Sequence, residues 1–300
     1  MTTFACGHCG AALAFEGVRT EICPYCASPN FVERPTSSQP DPDFVVPFAR
    51  DSELARRSLD RWLGSRTLFA DPALRAAKVE DLRAIYVPAY LYSAVANTEY
   101  TAQIGENYTE TETYRVKDAG GKSRTETRTV TRTEYRPLAG RHLQYVTDVI
   151  VSASVGLPNR ELSRALPFDL KQMHRFSPAL ISGWMTEEFS RAADECRSAS
   201  RSAALDQVGQ RLRRFMPGDS FSDLAWNTRV SWESLDPILV PVWVFVVTYR
   251  DDKQPLRIVI NGQTGKVTGK VPLSPWKIAI GIAVVLAIVA ATIYLLAGRT

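Results

Sequence analysis

The sequence is poor in the residues and motifs that mark common enzymes. It has only three histidines, His8, His142 and His174, which lie far apart and have no neighbouring carboxylate at metal-ligand spacing. It contains no GxxxxGK[ST] loop, no GxGxxG after a strand, no HExxH and no GxSxG. We therefore expect a protein that is not an enzyme, and we assign no catalytic and no cofactor-binding residues.

An excess of charge of one sign is also absent. The chain of 300 residues carries 36 Lys and Arg against 32 Asp and Glu, a formal net charge of +4. This is far from the strongly basic balance that drives non-specific binding to phosphate backbones. The hydrophobic content of 45% is enough to bury a sizeable core. Composition therefore predicts a folded protein and gives no reason to expect a nucleic acid partner.

A cleavable secretory signal is not recognisable in MTTFACGHCG, because no basic segment is followed by an apolar one. We expect most of the chain to stay in the reducing cytoplasm. Four of the five cysteines form two CxxC pairs there, and metal binding explains such pairs better than disulfides do.

The predicted metal ligands are Cys6, Cys9, Cys23 and Cys26. Two tight turns with this spacing bring four thiolates around one Zn²⁺, as in a zinc ribbon, which we predict over residues 1–34. Four protein ligands leave no open position for water, so the zinc is expected to be structural. Residues 1–35 carry two arginines against three glutamates. Because phosphate binding needs an excess of cations, the ribbon is predicted to contact protein and not nucleic acid.

The segment Ile278 to Gly298 contains no charged residue and is about 31 Å long as a helix at about 1.5 Å per residue. Trp276 and Lys277 precede it, as interfacial anchors do. Residues 276–300 are therefore predicted to be a single C-terminal transmembrane anchor. Lysines on the near side outnumber the lone Arg299 on the far side, which places the N-terminal body in the cytoplasm.

The predicted fold class between these ends is α+β. Residues 35–47, rich in Pro, Ser and Asp, read as a linker, and residues 48–275 read as the soluble body. IYVPAYLY and ILVPVWVF share the pattern Ile-x-Val-Pro-x-aromatic-aliphatic-aromatic, and a helical stretch precedes each. We therefore predict two related halves, residues 48–155 and 156–275, each a helix followed by an antiparallel sheet. The second helix is predicted from Thr186 to Met216, with Cys196 on its apolar face.

A long hairpin is predicted over residues 106–136, with its turn at Ala119–Gly121. In this register Glu112 faces Arg128, and threonines occupy the opposite face. Because neither face is apolar, the hairpin is expected to project into solvent. Two interpretations stay open, a salt-bridged solvated hairpin and a docking arm for another protein or for lipid headgroups.

The sequence resembles a bacterial family of membrane-anchored, TFIIB-type zinc-ribbon proteins, many of them labelled primosomal or helicase-like. The resemblance is carried by CGHCG, CPYC, VPF at 46–48, Trp62-Leu63, YVPAYLY, YTETETY, SASVGLP, LVPVWVF and VINGQTGKVTGKVPLSPWKI. The helicase label is not supported here, because no phosphate-binding loop is present. The resemblance implies SPFH-domain and phage-shock-type membrane-stress proteins as partners.

Two functions follow as hypotheses. The first is a membrane-tethered zinc-ribbon adaptor or scaffold that contacts cytoplasmic or membrane proteins. The alternative is a nucleic-acid-binding or regulatory membrane protein that uses its ribbon as transcription factors do.

Overall fold

The computed structural model describes residues 2–6, 9–15, 40–65, 69–76, 78–117, 123–181, 184–250 and 255–297. The helices are α1 (Ser52–Gly64), α2 (Asn159–Ala165), α3 (Pro178–Ile181), α4 (Ala193–Phe215) and α5 (Pro275–Ala297). The strands are β1 (Thr2–Ala5), β2 (Ala12–Phe15), β3 (Phe44–Val45), β4 (Lys78–Lys117), β5 (Ser123–Ser152), β6 (His174–Arg175), β7 (Met185–Glu187), β8 (Ser220–Thr248), β9 (Leu256–Asn261) and β10 (Val267–Gly269).

The chain divides into two compact units that share its longest strands. Unit 1 consists of Met1–Leu91, Ile150–Cys196 and Asp236–Thr300. Unit 2 consists of Tyr92–Val149 and Arg197–Leu235. The strands β4, β5 and β8 and the helix α4 each pass from one unit into the other. Neither unit is therefore a continuous half of the sequence.

The predicted fold class is wrong in its central feature. In the described residues, ten strands form one mixed sheet in the order β1-β2-β7-β4-β8-β3-β6, with β5 added to β4, and β9 and β10 added to β8. β3 runs parallel to β8, and β4 runs parallel to β7. Two separate antiparallel halves are therefore not formed. IYVPAYLY and ILVPVWVF lie instead on β4 and β8, which are neighbours at the centre of this sheet.

Residues 2–6 and 9–15, the described part of the predicted zinc ribbon, join the sheet. β1 and β2 form an antiparallel hairpin, and β2 pairs with β7 through Leu13 opposite Glu187 and Ala14 opposite Thr186. The hairpin is thus an edge of the sheet of unit 1. Phe44–Val45, in the predicted linker, is the strand β3, which lies between β8 and β6.

Three prolines lie inside the central strands, and Pro88 and Pro241 occupy the same place in the shared pattern, where a missing N–H would normally break a ladder. The carbonyl of Pro88 accepts from Ala153 N at 3.0 Å, just beyond the point where β7 stops pairing with β4. The carbonyl of Pro241 accepts from Gly262 N at 2.9 Å, between the parts of β8 that pair with β3 and with β9. Since a residue in a strand directs its N–H and C=O to the same side, each missing N–H falls where one neighbouring strand replaces another.

Both faces of the sheet in unit 1 are apolar. One face packs against α1 through Trp243, Phe245 and Ile258. The helix begins at Asp51, whose side chain accepts from Leu54 N at 2.8 Å as an N-cap. The other face buries Ile85, Val240 and their neighbours against α2 and the turn between β1 and β2. Burial on both faces explains the continuous apolar runs of β4 and β8.

Unit 2 is a three-stranded sheet in the order β5-β4-β8, covered on one face by α4. The cross-strand contacts Thr98 to Thr228 (2.9 Å) and Ser231 to the Val95 carbonyl (3.5 Å) show that β4 and β8 are antiparallel here. Gly209 lies so close to the Trp226 ring that a Cβ at this position would be 2.8 Å from it. α4 therefore approaches the sheet closely where glycine removes the side chain.

Replacing Phe245 tests the core of unit 1. Its side chain is fully buried, so Phe245→Ala is expected to lower the free energy of unfolding by about 3–5 kcal/mol. Thermal unfolding of the full chain in detergent, followed by circular dichroism, should show a midpoint lower by roughly 10 °C. The exposed Tyr145→Ala variant is the control and should melt like the native protein. Equal melting of both variants would show that Phe245 is not in the core.

Candidate metal centre and membrane helix

The turn between β1 and β2 carries Cys6 and Cys9, two of the four predicted metal ligands. Cys6 N donates to the Ala11 carbonyl at 2.7 Å, and Gly10 N donates to the Cys6 carbonyl at 2.8 Å. Gly10 has a φ of +74°, the left-handed conformation that glycine adopts without strain. Cys9 N lies 3.5 Å from Cys6 Sγ and donates to it. An amide that donates to sulfur favours a thiolate, so this turn fits a metal-binding knuckle.

The Cys turn is held against the core of unit 1. Cys6 is 2% exposed and packs with Ala11 and Leu157, and Cys9 is partly buried against the same cluster. A Cβ on Gly10 would be 3.3 Å from Val155 Cγ1. The turn therefore packs against the segment around Val155.

The segment around Val155 is held in place by a buried polar cluster. Ser154 Oγ donates to Glu187 Oε1 at 2.5 Å and accepts from Leu157 N at 2.8 Å. Ser152 Oγ accepts from Ser154 N at 3.1 Å and donates to the Leu157 carbonyl at 2.5 Å. Glu187 is 1% exposed and lies on β7, directly opposite Leu13 of β2. Because unpaired polar groups are costly in a core, these bonds fix the loop that supports Cys6 and Cys9.

The structure brings together only part of the predicted metal site. Cys23 and Cys26, like His8, lie outside the described residues. Within the part of the chain that is described, no group of three or more His, Cys, Asp or Glu side chains is arranged to hold a metal ion. Cys6 and Cys9 are two of the four predicted thiolate ligands, and thiolate is a ligand that zinc prefers. The zinc site itself stays a prediction.

The predicted hairpin register is confirmed by its ion pairs. Arg128 Nη2 lies 2.8 Å from Glu112 Oε2, and Arg132 Nη2 lies 2.5 Å from Glu112 Oε1. Arg132 Nε also lies 2.7 Å from Glu110 Oε2. Hydrogen bonds from Arg128 and then Arg132 hold the pKa of the Glu112 carboxyl below its ordinary value. The strand β4 ends at Lys117 and β5 begins at Ser123, and the predicted turn between them lies outside the described residues.

Cys196 is a buried thiol on α4. It is 1% exposed, and its Sγ lies 3.6 Å from the Ser152 carbonyl, to which it donates. Burial raises the pKa of this thiol, with a smaller opposing effect from Arg191. The prediction that Cys196 lies on a buried helix face is confirmed, but α4 begins at Ala193 and not at Thr186, which belongs to β7.

A second set of hydrogen-bonded side chains, which runs from a buried tyrosine to a half-exposed arginine, lies within unit 2. The hydroxyl of Tyr92, a fully buried residue, donates to Glu233 Oε2 at 2.7 Å, and Arg201 of α4 lies 3.4 Å from the other oxygen of that carboxylate. Burial, and then the hydrogen bond to Glu233, raise the pKa of Tyr92. These contacts of Tyr92, Glu233 and Arg201 tie α4 to the sheet, which is a structural role.

The helix α5 is long and apolar enough to cross a membrane. Its 23 residues correspond to about 34 Å at about 1.5 Å per residue, against a hydrocarbon core of about 30 Å. Thr292 Oγ1 donates to the Ile288 carbonyl at 2.8 Å, which pairs the hydroxyl within the helix. None of the apolar stretch Pro275–Thr292 is buried in the described structure.

Sequence reasoning missed two features of this structure. The first is the buried cluster of Ser152, Ser154 and Glu187, whose only sequence signal is the alternation of serines at the end of an apolar strand. The second is a set of large apolar side chains left uncovered in unit 2, namely Leu143, Tyr145 and Trp232, the last with 87% of its surface exposed and a φ of +53°. Such side chains are frequent at protein contacts.

Comparison with known proteins gives a distant similarity. The chain is 22% identical over 240 residues to a protein of Bacillus subtilis (strain 168) named "Uncharacterized protein YdjG". The matched region covers 79% of this chain and 66% of that relative, so the chain spans just under two thirds of the relative's length. No family model and no solved structure matches.

Removing a predicted ligand tests the zinc site. The full chain purified in detergent is expected to hold about one zinc per molecule, and Cys6→Ser and Cys9→Ser should each lower this amount sharply, because a tetrahedral site needs all four donors. Inductively coupled plasma mass spectrometry measures the metal. Cys196→Ser, which changes a buried cysteine outside the site, should leave the zinc content unchanged. Full zinc occupancy in Cys6→Ser would contradict the assignment.

Proposed function

We propose that this protein is a membrane-tethered adaptor. In this proposal α5 crosses the cell membrane once, the N-terminal body lies in the cytoplasm, and exposed surfaces of the body contact cytoplasmic or membrane proteins. A structural zinc bound by Cys6, Cys9, Cys23 and Cys26 stabilises the N-terminal module. The protein has no enzymatic role in this proposal.

The uncovered surface of α5 is the observation that carries the proposal. Every residue from Ile282 to Thr292 is exposed in the structure, although all except Thr292 are apolar. An exposed apolar surface of this length is strongly unfavourable in water, and a lipid bilayer removes it from water. The orientation rests on Lys266, Lys270 and Lys277 on the side of the body, against Arg299 beyond the helix.

The hairpin formed by β4 and β5 is the part of the body best suited to contact a partner. Beyond Asn107, whose backbone N–H donates to Asp219 at 2.8 Å just before β8 begins, no strand in the described structure continues alongside it. Tyr108 and Tyr114 are exposed on its ion-paired face. Tyrosine supplies large contact area at protein interfaces with little loss of side-chain entropy.

Protein is a better partner than nucleic acid for this surface. Arg128 and Arg132 are already paired with Glu110 and Glu112, and the acidic oxygens beside them would repel phosphates. The similarity of the sequence to membrane-anchored TFIIB-type zinc-ribbon proteins supports SPFH-domain or phage-shock-type membrane-stress proteins as the partner class.

Charges placed in the middle of α5 test the membrane assignment. Leu286→Arg/Val289→Arg should shift the protein from the carbonate-resistant membrane fraction to the soluble fraction, since each Arg at mid-membrane costs about 2.5–3.5 kcal/mol on insertion scales. Leu286→Ala/Val289→Ala is the matched control and should stay in the membrane. If the native chain is extracted by carbonate, the proposal fails.

Changes on the hairpin test the adaptor role. Tyr108→Ser/Tyr114→Ser should remove cross-linked partners that the native chain captures in intact membranes, because the exposed aromatic contact area is lost. Quantitative mass spectrometry of the cross-linked complexes measures the change. Thr111→Ser is the control on the same hairpin. Partners captured equally by all three chains would exclude the hairpin as the contact surface.

A further inference from the structure

The segment before α5 is fastened to a second part of unit 1. Asp71 N donates to the Pro272 carbonyl, and Ser274 N donates to the Phe69 carbonyl, both at 2.9 Å. Ala70 and Leu273 form an antiparallel bridge between these bonds. The start of α5 is therefore joined to residues 69–71 by a short stretch of sheet, and not by a free linker.

Side chains reinforce this connection. Lys277 Nζ donates to the Ala70 carbonyl at 3.0 Å. Asp71 accepts from Ala73 N at 3.0 Å, which caps the 3₁₀ turn Pro72–Ala76, and it lies 2.9 Å from Arg250. The carbonyls of both Phe69 and Ala70 are thus paired, as backbone groups must be near hydrocarbon.

The Phe69 side chain reaches along α5 itself. A Cβ on Gly281 would be only 2.8 Å from Phe69 Cε1, so the ring lies directly on the helix backbone. Gly281 is about 9 Å beyond the start of the helix at Pro275, at about 1.5 Å per residue. Gly281 also lies about 4–5 Å along the helix beyond Ile278, where the uncharged stretch begins. Phe69 is therefore level with residues that lie in lipid if α5 spans a bilayer.

The large apolar side chains at this place are exposed in the described part of the chain. Phe69 is 39% exposed, Leu273 57% and Trp276 74%. Transfer of phenylalanine, leucine and tryptophan side chains from water to the interfacial layer of a bilayer is favourable, and Trp in particular is enriched there. Because these side chains are continuous with the exposed surface of α5, a lipid surface around that helix is the occupant that fits them.

We propose that Phe69, Leu273 and Trp276 form a membrane-contacting foot, which dips into the interface of the bilayer and holds the body of unit 1 in a fixed orientation. This inference rests on the proposed function, because it needs α5 to span the membrane. It goes further than that function because it makes the connection between α5 and the rest of unit 1 rigid. The Cys turn, as part of the sheet of unit 1, would then keep a set distance from the membrane.

Photo-crosslinking to lipid tests the foot. The full chain, with p-benzoyl-phenylalanine at position 69 or 273, is reconstituted into nanodiscs of phosphatidylcholine and phosphatidylglycerol and irradiated, and lipid adducts are counted by mass spectrometry. We expect adducts at 69 and 273 to exceed several-fold those at position 145, where Tyr145 is an exposed aromatic residue of unit 2. Adducts no more frequent at 69 and 273 than at 145 would overturn the proposal.

Flotation of the same samples separates the two possible failures. If the chain does not float with lipid or is released by carbonate, α5 does not span and the proposed function fails. If it floats and resists carbonate but positions 69 and 273 give only background adducts, α5 spans and the foot alone is wrong. A Phe69→Leu chain, which keeps an apolar side chain, should retain the lipid adducts at position 273. Phe69→Asp should lower them several-fold without loss of flotation, and unchanged adducts there would also overturn the proposal.

Discussion

The pairing of β4 with β8 is the constraint on which the rest of the structure depends. These two strands form the centre of the mixed sheet, and both pass from unit 1 into unit 2. Their shared Ile-x-Val-Pro pattern has a physical reason. Pro88 and Pro241 each occupy the place where a central strand changes its neighbour, so the absent N–H costs no ladder bond. A proline that would disrupt an ordinary central strand instead marks where the short strands β3 and β7 stop pairing.

The Cys turn depends on that sheet for its position. β2 pairs with β7, β7 pairs with β4, and the buried bond from Ser154 to Glu187 ties the supporting loop to β7. Cys6 is consequently part of the core of unit 1. A metal held there would stabilise the body as well as the N-terminal hairpin, because the two share buried surface.

The same fixed geometry continues to α5. Residues 69–71 bridge to the segment that precedes this helix, and Lys277 donates to the Ala70 carbonyl. A flexible tether would let unit 1 sample all orientations about α5, whereas this connection holds the Cys turn of unit 1 at a defined place relative to that helix. Such a connection suits the adaptor proposed above, because a partner ordered at a membrane would meet a preorganised surface.

Local features of the chain were predictable because neighbouring residues decide them. The uncharged run of α5 and the facing of Glu112 and Arg128 follow from composition and turn spacing. The two-residue and three-residue strands β3 and β7 are too short to show a period, and the sequence around Glu187 reads as a polar surface. Only the tertiary structure could place that carboxylate next to Ser154, seat Cys6 in the core and lay Phe69 on Gly281. Each of these contacts joins residues far apart in the chain, and packing decides them after the local elements have formed.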